Sequence, residues 1–168
     1  MRWDTLAGVL AMVGGACGGT TSERGQPDDR PTGMSQPQSS VQVNLVDFEI
    51  DREPASVPAG EVTFEVTNDG YATDADGDPI PSISGGQHNF EVLRTDLPAG
   101  DLPVSDLNFS VEVETPGIEV LGSTPPLQEG ANESLTVNLE PGPHVLICNL
   151  TSHYMRGMWA EISVRSQG

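Results

Sequence analysis

The residues of this chain best suited to chemistry lie toward its end, in the stretch His-Val-Leu-Ile-Cys-Asn-Leu-Thr-Ser-His-Tyr-Met-Arg-Gly-Met-Trp. Within eleven residues it supplies a thiol at Cys148, an imidazole at His153 and a thioether at Met158. A thiolate, imidazoles and a weak axial thioether together hold copper in a trigonal site. Such a site needs a second imidazole, which must come from elsewhere in the chain.

The chain has three histidines, so few residues can supply this second imidazole. His88, in Gln-His-Asn-Phe-Glu-Val-Leu, lies sixty residues before Cys148 and is the natural candidate. A histidine packed at the end of a strand is the alternative for His88. We expect His144, four residues before Cys148, to be structural, with ligation as its alternative. A zinc site is disfavoured because a thioether is a poor zinc ligand.

The other cysteine, Cys17, follows an apolar run of small residues and the sequence Gly14-Gly15-Ala16. This pattern is typical of a signal peptide and resembles a bacterial lipobox. We predict a signal peptide of the lipoprotein type over residues 1–17, with plain secretion or no signal at all as alternatives. Once Cys17 is lipidated or removed, Cys148 has no partner within the chain, and a bound metal gives a solitary thiol a role.

A polar segment rich in Gly, Ser, Thr, Pro and Gln follows at residues 18–40. It has too few apolar residues to fold, and we predict a disordered tether with a reach of roughly 25–30 Å. The protein is therefore expected outside the cytoplasm, in the periplasm or at the cell surface, and anchored to the membrane through a lipid on Cys17.

From residue 41 to 168 we predict one folded domain, because apolar residues alternate with polar ones there as in half-buried strands. Proline and glycine separate the alternating segments, and no amphipathic helix is evident. The pattern predicts an all-β fold, a Greek-key β-sandwich of seven to eight strands. The segments are 41–50 with a bulge at Val46, 61–68, 88–93, 107–113, 135–139, 145–148 and 159–164.

The charge is strongly acidic, with 25 acidic residues against seven arginines and a formal net charge of −18. This charge excludes binding to nucleic acid or to anionic lipid by electrostatics. It suits a basic protein partner or a high-salt habitat, although solubility alone is an alternative reason for it. The cluster of Asp74, Asp76 and Asp78 could bind calcium, but its spacing is not that of an EF-hand, and a solvated loop is the favoured interpretation.

These residues together resemble the type 1 copper site of the cupredoxins, such as plastocyanin and azurin. The resemblance covers about residues 41–166, but its specific part is His88-Asn89 and the C-x4-H-x4-M loop from Cys148 to Met158. The spacing of that loop is most similar to rusticyanin and sulfocyanin. The resemblance implies one copper ion with His88, Cys148 and His153 as equatorial ligands and Met158 as the axial ligand, with Met155 as the alternative axial ligand.

The resemblance also implies a function. The protein would be a monomer that carries single electrons between redox partners, such as a cytochrome or a terminal oxidase, and His153 would reach the surface as the electron port. Asn89 would tie the two ligand segments together, its backbone N–H being a candidate donor to the Cys148 sulfur. Copper carriage or storage is the alternative. An enzyme is not expected, because copper oxidases and nitrite reductases need more histidines than this chain has.

Overall fold

The computed structural model describes residues 39–80 and 85–167. Cys17, the predicted signal peptide and all but the last two residues of the predicted tether lie outside these residues. Within the described part, no helix is long and apolar enough to cross a membrane.

Nine strands and one short 3-10 helix make up the regular structure of the described residues. The strands are β1 (Ser39–Val46), β2 (Glu49–Glu53), β3 (Ser56–Pro58), β4 (Gly60–Gly70), β5 (Glu91–Thr95), β6 (Ile118–Ser123), β7 (Asn132–Leu139), β8 (Gly142–Ile147) and β9 (Trp159–Arg165), and the 3-10 helix is Tyr154–Arg156.

The strands form two mixed sheets. The first has the order β2-β1-β4-β7 and the second has the order β3-β9-β8-β5-β6. The pairs β1 with β4 and β3 with β9 are parallel, and all other pairs are antiparallel. The predicted all-β sandwich is therefore confirmed, with nine strands in place of seven or eight.

The main core lies between the two sheets and follows from the alternation in the sequence. In β4, Val62, Phe64 and Val66 are buried, while Thr63 turns outward and bonds the facing Thr136 hydroxyl at 2.8 Å. The Phe64 ring packs on Phe90 with centroids 5.3 Å apart. Further buried members of this core come from β1, β7, β8 and β9: Val41, Val43, Leu45, Val137, Leu139, Leu146, Ala160, Ile162 and Val164.

The second sheet is covered on both faces, which explains why β8 is almost entirely apolar. Leu146 joins the main core, whereas Val145 and Ile147 face the other way and pack on residues 99–111. We call residues 97–113 the outer segment. A strand buried on both faces reads as a continuous apolar run, and β8 is the strand that leads directly into Cys148.

The outer segment corrects one strand prediction. Residues 107–113 are not a strand, because Leu107 is 93% exposed and Phe109 has a positive φ of 55°. Val111 alone of the alternating set is deeply buried, and it makes an isolated bridge to Val104. The segment folds over the second sheet instead of pairing along it. Two strands lie outside the predicted segments: β3 has only three residues, and β6 lacks a regular alternation of apolar and polar residues.

Two further boundaries differ from the prediction. The segment 41–50 is two strands, since the chain turns at residues 47–48; its pairing with β4 does shift register between Leu45 and Val46. The strand expected at 88–93 begins only at Glu91, and His88 sits before it in an isolated bridge to Leu127. His88 is therefore held by a loop rather than within a strand.

We expect Phe64→Ala to destabilise the domain by about 3–5 kcal/mol, because it leaves a cavity between the sheets. Chemical denaturation followed by far-UV circular dichroism measures this change. Leu107→Ala is the control and should alter stability by less than about 0.5 kcal/mol, as its side chain lies in solvent. Similar losses for the two variants would contradict this description of the core.

Candidate metal centre

Cys148, His153 and Met158 lie on one closed loop between β8 and β9. The loop is closed by hydrogen bonds from the Cys148 N–H to the Met158 carbonyl at 3.1 Å and from the Met158 N–H to the His153 carbonyl at 3.1 Å. The 3-10 helix ends at Gly157, which has a φ of 102°, a conformation that glycine adopts without strain. All three predicted ligands of this loop are buried.

The outer segment fixes this ligand loop from the side. The Asn149 side chain accepts the Val111 N–H at 2.7 Å and donates to the Val111 carbonyl at 3.3 Å. The Tyr154 hydroxyl donates to the Ala99 carbonyl at 2.7 Å and accepts the Leu102 N–H at 2.9 Å. The loop is therefore pinned at two places outside the donor residues themselves.

The Cys148 sulfur lies at the junction of the two ligand segments. It is 3.3 Å from His153 Nδ1 and 3.4 Å from Asn89 Oδ1. Burial raises the pKa of the Cys148 thiol to about 11, while backbone hydrogen bonds from Leu150 and Asn89 act in the opposite direction. The backbone hydrogen bond from Asn89 is the one that the resemblance to the cupredoxins implied. A metal bound at this sulfur would have to displace the thiol proton.

Asn89 joins the segment of His88 to the loop of Cys148. Its side-chain oxygen accepts the Asn149 N–H at 2.7 Å, and its side-chain nitrogen donates to Glu91 Oε1 at 2.9 Å. Asn89 thus sets the distance between two segments that are sixty residues apart in sequence, as expected for it.

His153 is buried, with only 1% of its surface exposed. Burial lowers its pKa to about 4, so its imidazole is neutral at pH 7. Phe48 covers it edge-on with ring centroids 5.3 Å apart, and the Arg156 guanidinium lies 4.7 Å from the centre of the Phe48 ring. The expectation that His153 reaches the surface is wrong, because the turn between β1 and β2 places Phe48 over it.

His88 is also fully buried, and both of its ring nitrogens have oxygen partners. Nδ1 lies 2.8 Å from Asn68 Oδ1, and Nε2 lies 2.8 Å from Asp47 Oδ1. The Asn68 amide nitrogen donates to the carbonyls of Gly86 and Leu127, so Asn68 Oδ1 must accept. Burial lowers the pKa of His88, and the hydrogen bond to Asp47 opposes that shift.

Asp47 and Asn68 are residues of the centre that were not predicted from the sequence. One donor atom from each of Asp47, His88 and His153 lies within 4.8 Å of the others, and this group does not include the Cys148 sulfur, which contacts His153 from one side. Asp47 has no distinctive sequence signal, since a carboxylate between two strands is common in turns. Asn68 does have a sequence signal, because it is a polar residue at a core-facing position in the alternation of β4.

Met158 and Met155 occupy different environments. Met158 is fully buried in the same core cluster as Cys148, whereas Met155 is 59% exposed. An axial thioether must reach the interior of the site, so burial favours Met158 over Met155.

Two other candidates have roles apart from the centre. His144 stands four residues before Cys148 along β8, a separation of roughly 13 Å, and its Nδ1 bonds the Gly142 carbonyl at 3.2 Å. In the acidic loop, Asp74 Oδ1 accepts the N–H groups of Asp76 and Asp78 at 2.9 and 3.0 Å, so this carboxylate caps its own turn.

The buried donors fit a copper ion in their chemistry. A thiol sulfur, a neutral imidazole and a buried thioether are soft or borderline ligands of the kind that copper prefers. The Cys148 sulfur also has hydrogen bonds from the backbone that would stabilise it as a thiolate. The hydrogen bonds of Asn89, Asn149 and Tyr154 hold the segments that carry these donors.

Comparison with known proteins agrees with this architecture. No family model and no curated protein matches the sequence. Reduced auracyanin from the photosynthetic bacterium Roseiflexus castenholzii superposes with a TM-score of 0.52 at 18% identity, over 76% of this chain and 97% of its own. Auracyanin B gives a TM-score of 0.48 at 23% identity, over 77% of this chain and 89% of its own. Rusticyanin from Thiobacillus ferrooxidans gives a TM-score of 0.48 at 18% identity, over 78% of this chain and 79% of its own.

The two-sheet domain is a cupredoxin-type β-sandwich. The chain therefore has the fold that the resemblance of its ligand loop implied.

We expect His144→Phe to weaken the pH dependence of stability below neutrality. Burial lowers the pKa of His144, so between the ordinary value of 6.5 and the lowered value the unfolded state binds a proton that the folded state does not. The contribution of this residue to the free energy of unfolding is therefore greatest above pH 6.5. It decreases as the pH falls below 6.5, by at most about 1.4 kcal/mol per pH unit. Urea unfolding at pH 7.5 and pH 5.0 should show a smaller loss for the variant, and equal losses would contradict the prediction.

Proposed function

We propose that this protein is a type 1 copper protein that carries single electrons. His88, Cys148 and His153 would be the strong ligands, and Met158 the weak axial ligand. The observation that carries the proposal is the contact of the buried Cys148 sulfur with His153 Nδ1 at 3.3 Å, with Met158 buried in the same cluster. When bound, copper supplies a one-electron couple between Cu(II) and Cu(I).

The protein's part is to hold the donors still while the charge of the site changes. Asn89 and Asn149 fix the two ligand segments relative to each other, and Tyr154 fixes the loop against the outer segment. Burial keeps His153 neutral and keeps water away from the sulfur. A site with few free motions needs little rearrangement on electron transfer, which favours a carrier over a catalyst.

We further propose that the protein acts outside the cytoplasm, tethered through Cys17, and passes electrons between redox proteins such as a cytochrome and a terminal oxidase. The electron would leave through His153 and the Phe48 ring, because this ring contacts the buried His153 and is itself partly exposed. Three histidines do not provide a second catalytic copper site, and this supports a carrier function.

The copper-loaded domain should show an intense visible band from the thiolate-to-copper transition, and Cys148→Ala should abolish it, because the sulfur is the source of the charge transfer. Absorption and EPR spectra after Cu(II) loading measure both. Absence of the band in the unaltered protein, or its survival in Cys148→Ala, would overturn the proposed function.

A pair of methionine variants serves as the matched control. Met158→Leu should shift the reduction potential and the EPR parameters, since it removes the buried thioether. Met155→Leu should leave both unchanged, since that side chain is largely exposed. The reverse result would assign the axial position to Met155.

The acidic surface should steer cationic partners. With a formal charge of −18, electron exchange with a cationic reagent such as hexaammineruthenium should slow as salt rises, because salt screens the attraction. Exchange with an anionic reagent such as hexacyanoferrate should accelerate over the same range. Stopped-flow kinetics at several salt concentrations measures both trends, and rates that do not depend on salt would rule out electrostatic steering.

A further inference from the structure

Asp47 contacts the centre, yet the copper proposal gives it no role. Its side chain is 3% exposed and that of His88 is fully buried, with Asp47 Oδ1 2.8 Å from His88 Nε2. One donor atom each of Asp47, His88 and His153 lies within 4.8 Å of the others. A carboxylate and two imidazoles are ligands that divalent zinc and copper accept.

Asn68 determines which nitrogen of His88 faces this group. The Asn68 amide nitrogen donates to Gly86 and Leu127 at 2.9 and 2.8 Å, and its Oδ1 accepts the Gly70 N–H at 2.9 Å. His88 Nδ1 must therefore carry the hydrogen that Oδ1 accepts. A histidine that binds metal commonly donates its other N–H to a neighbouring oxygen in this way. Nε2 faces Asp47 Oδ1 at 2.8 Å and shares a proton with that carboxylate, so a cation bound at Nε2 would take the place of this proton.

His153 connects this group to the sulfur. Its Nδ1 lies 3.3 Å from Cys148 Sγ, and its ring centroid lies 5.1 Å from that of His88. The two histidines thus have a carboxylate on one side and a thiol on the other. Among the described residues, the donor set on the carboxylate side consists of nitrogen and oxygen atoms, which are harder than thiolate and thioether donors.

We propose that Asp47, His88 and His153 form a second donor set that binds a divalent cation such as Zn²⁺ or Cu²⁺ when Cys148 does not take part. The proposal rests on the site of the proposed function, because both histidines are shared. A cation held by the carboxylate set occupies these histidines and excludes the thiolate-bound form. The two sets are therefore alternative ways for the same pocket to hold a metal.

Zinc binding to Cys148→Ala, measured by calorimetry, tests the proposal. We expect one Zn²⁺ per chain, and an affinity reduced by roughly tenfold or more in Cys148→Ala/Asp47→Asn, which is at least the loss seen when an outer partner of a ligand is removed. The matched control is Cys148→Ala/Asp51→Asn, which removes the same charge from an exposed position on β2 and should leave the affinity unchanged. Equal affinities with and without Asp47 would overturn the proposal.

A second measurement identifies the binding nitrogen. Long-range ¹H–¹⁵N spectra of zinc-loaded Cys148→Ala should show His88 bound through Nε2 with Nδ1–H retained. Binding through Nδ1 would overturn the proposal and make Asp47 a positioning residue. This measurement needs no change at Asp47, so it decides the matter even if Asp47→Asn impairs folding.

EPR spectra of the same variants loaded with Cu²⁺ distinguish this proposal from the proposed function. Cys148→Ala should give the EPR signal of a tetragonal nitrogen- and oxygen-bound copper, and Asp47→Asn should alter that signal. A signal unchanged by Asp47→Asn would count against the carboxylate set. A missing blue band in the unaltered protein would remove the electron-carrier proposal and leave the zinc result standing.

Discussion

The hydrogen bond from the Asn149 N–H to the side-chain oxygen of Asn89, at 2.7 Å, is the contact on which the centre depends. It joins a segment that precedes β5 to a loop that follows β8. These two strands are neighbours in the second sheet, so the sheet brings the two ligand segments close together. The Asn89 hydrogen bond then fixes the distance between them. The same Asn89 approaches the Cys148 sulfur through both its side chain and its backbone. Without this bridge, neither ligand segment would fix the other.

The outer segment, which covers the second face of the second sheet, also fixes the ligand loop in place. The outer segment contributes Val111 and Leu102 to the packing and, through backbone groups, holds Asn149 and Tyr154. This irregular segment thus covers the second sheet and holds the ligand loop through backbone hydrogen bonds. Packing and hydrogen bonding act together here, because the apolar contacts remove water that would compete for the backbone groups.

Much of this could be predicted from sequence, because it depends on local patterns. The spacing of Cys148, His153 and Met158 and the alternation in β4 are short-range signals. The structure places the three residues, buried, on one closed loop and buries the apolar residues of β4. The failures concern contacts between distant segments. The alternation at 107–113 predicts a strand, but the conformation of this segment depends on its packing against β8. In the same way, no local pattern indicates that Phe48 lies over His153 or that Asp47 lies beside His88.

The burial of Cys148 also affects how readily its thiol is oxidised before a metal binds. A thiol reacts with oxidants through its thiolate, and burial raises the pKa of the Cys148 thiol, which keeps it protonated at pH 7. Full burial also keeps oxidants away from the sulfur. The metal-free chain should therefore resist sulfenic acid formation and cross-linking between copies, so that in oxidising surroundings the sulfur remains usable until a metal arrives. The packing that shapes the centre also preserves it.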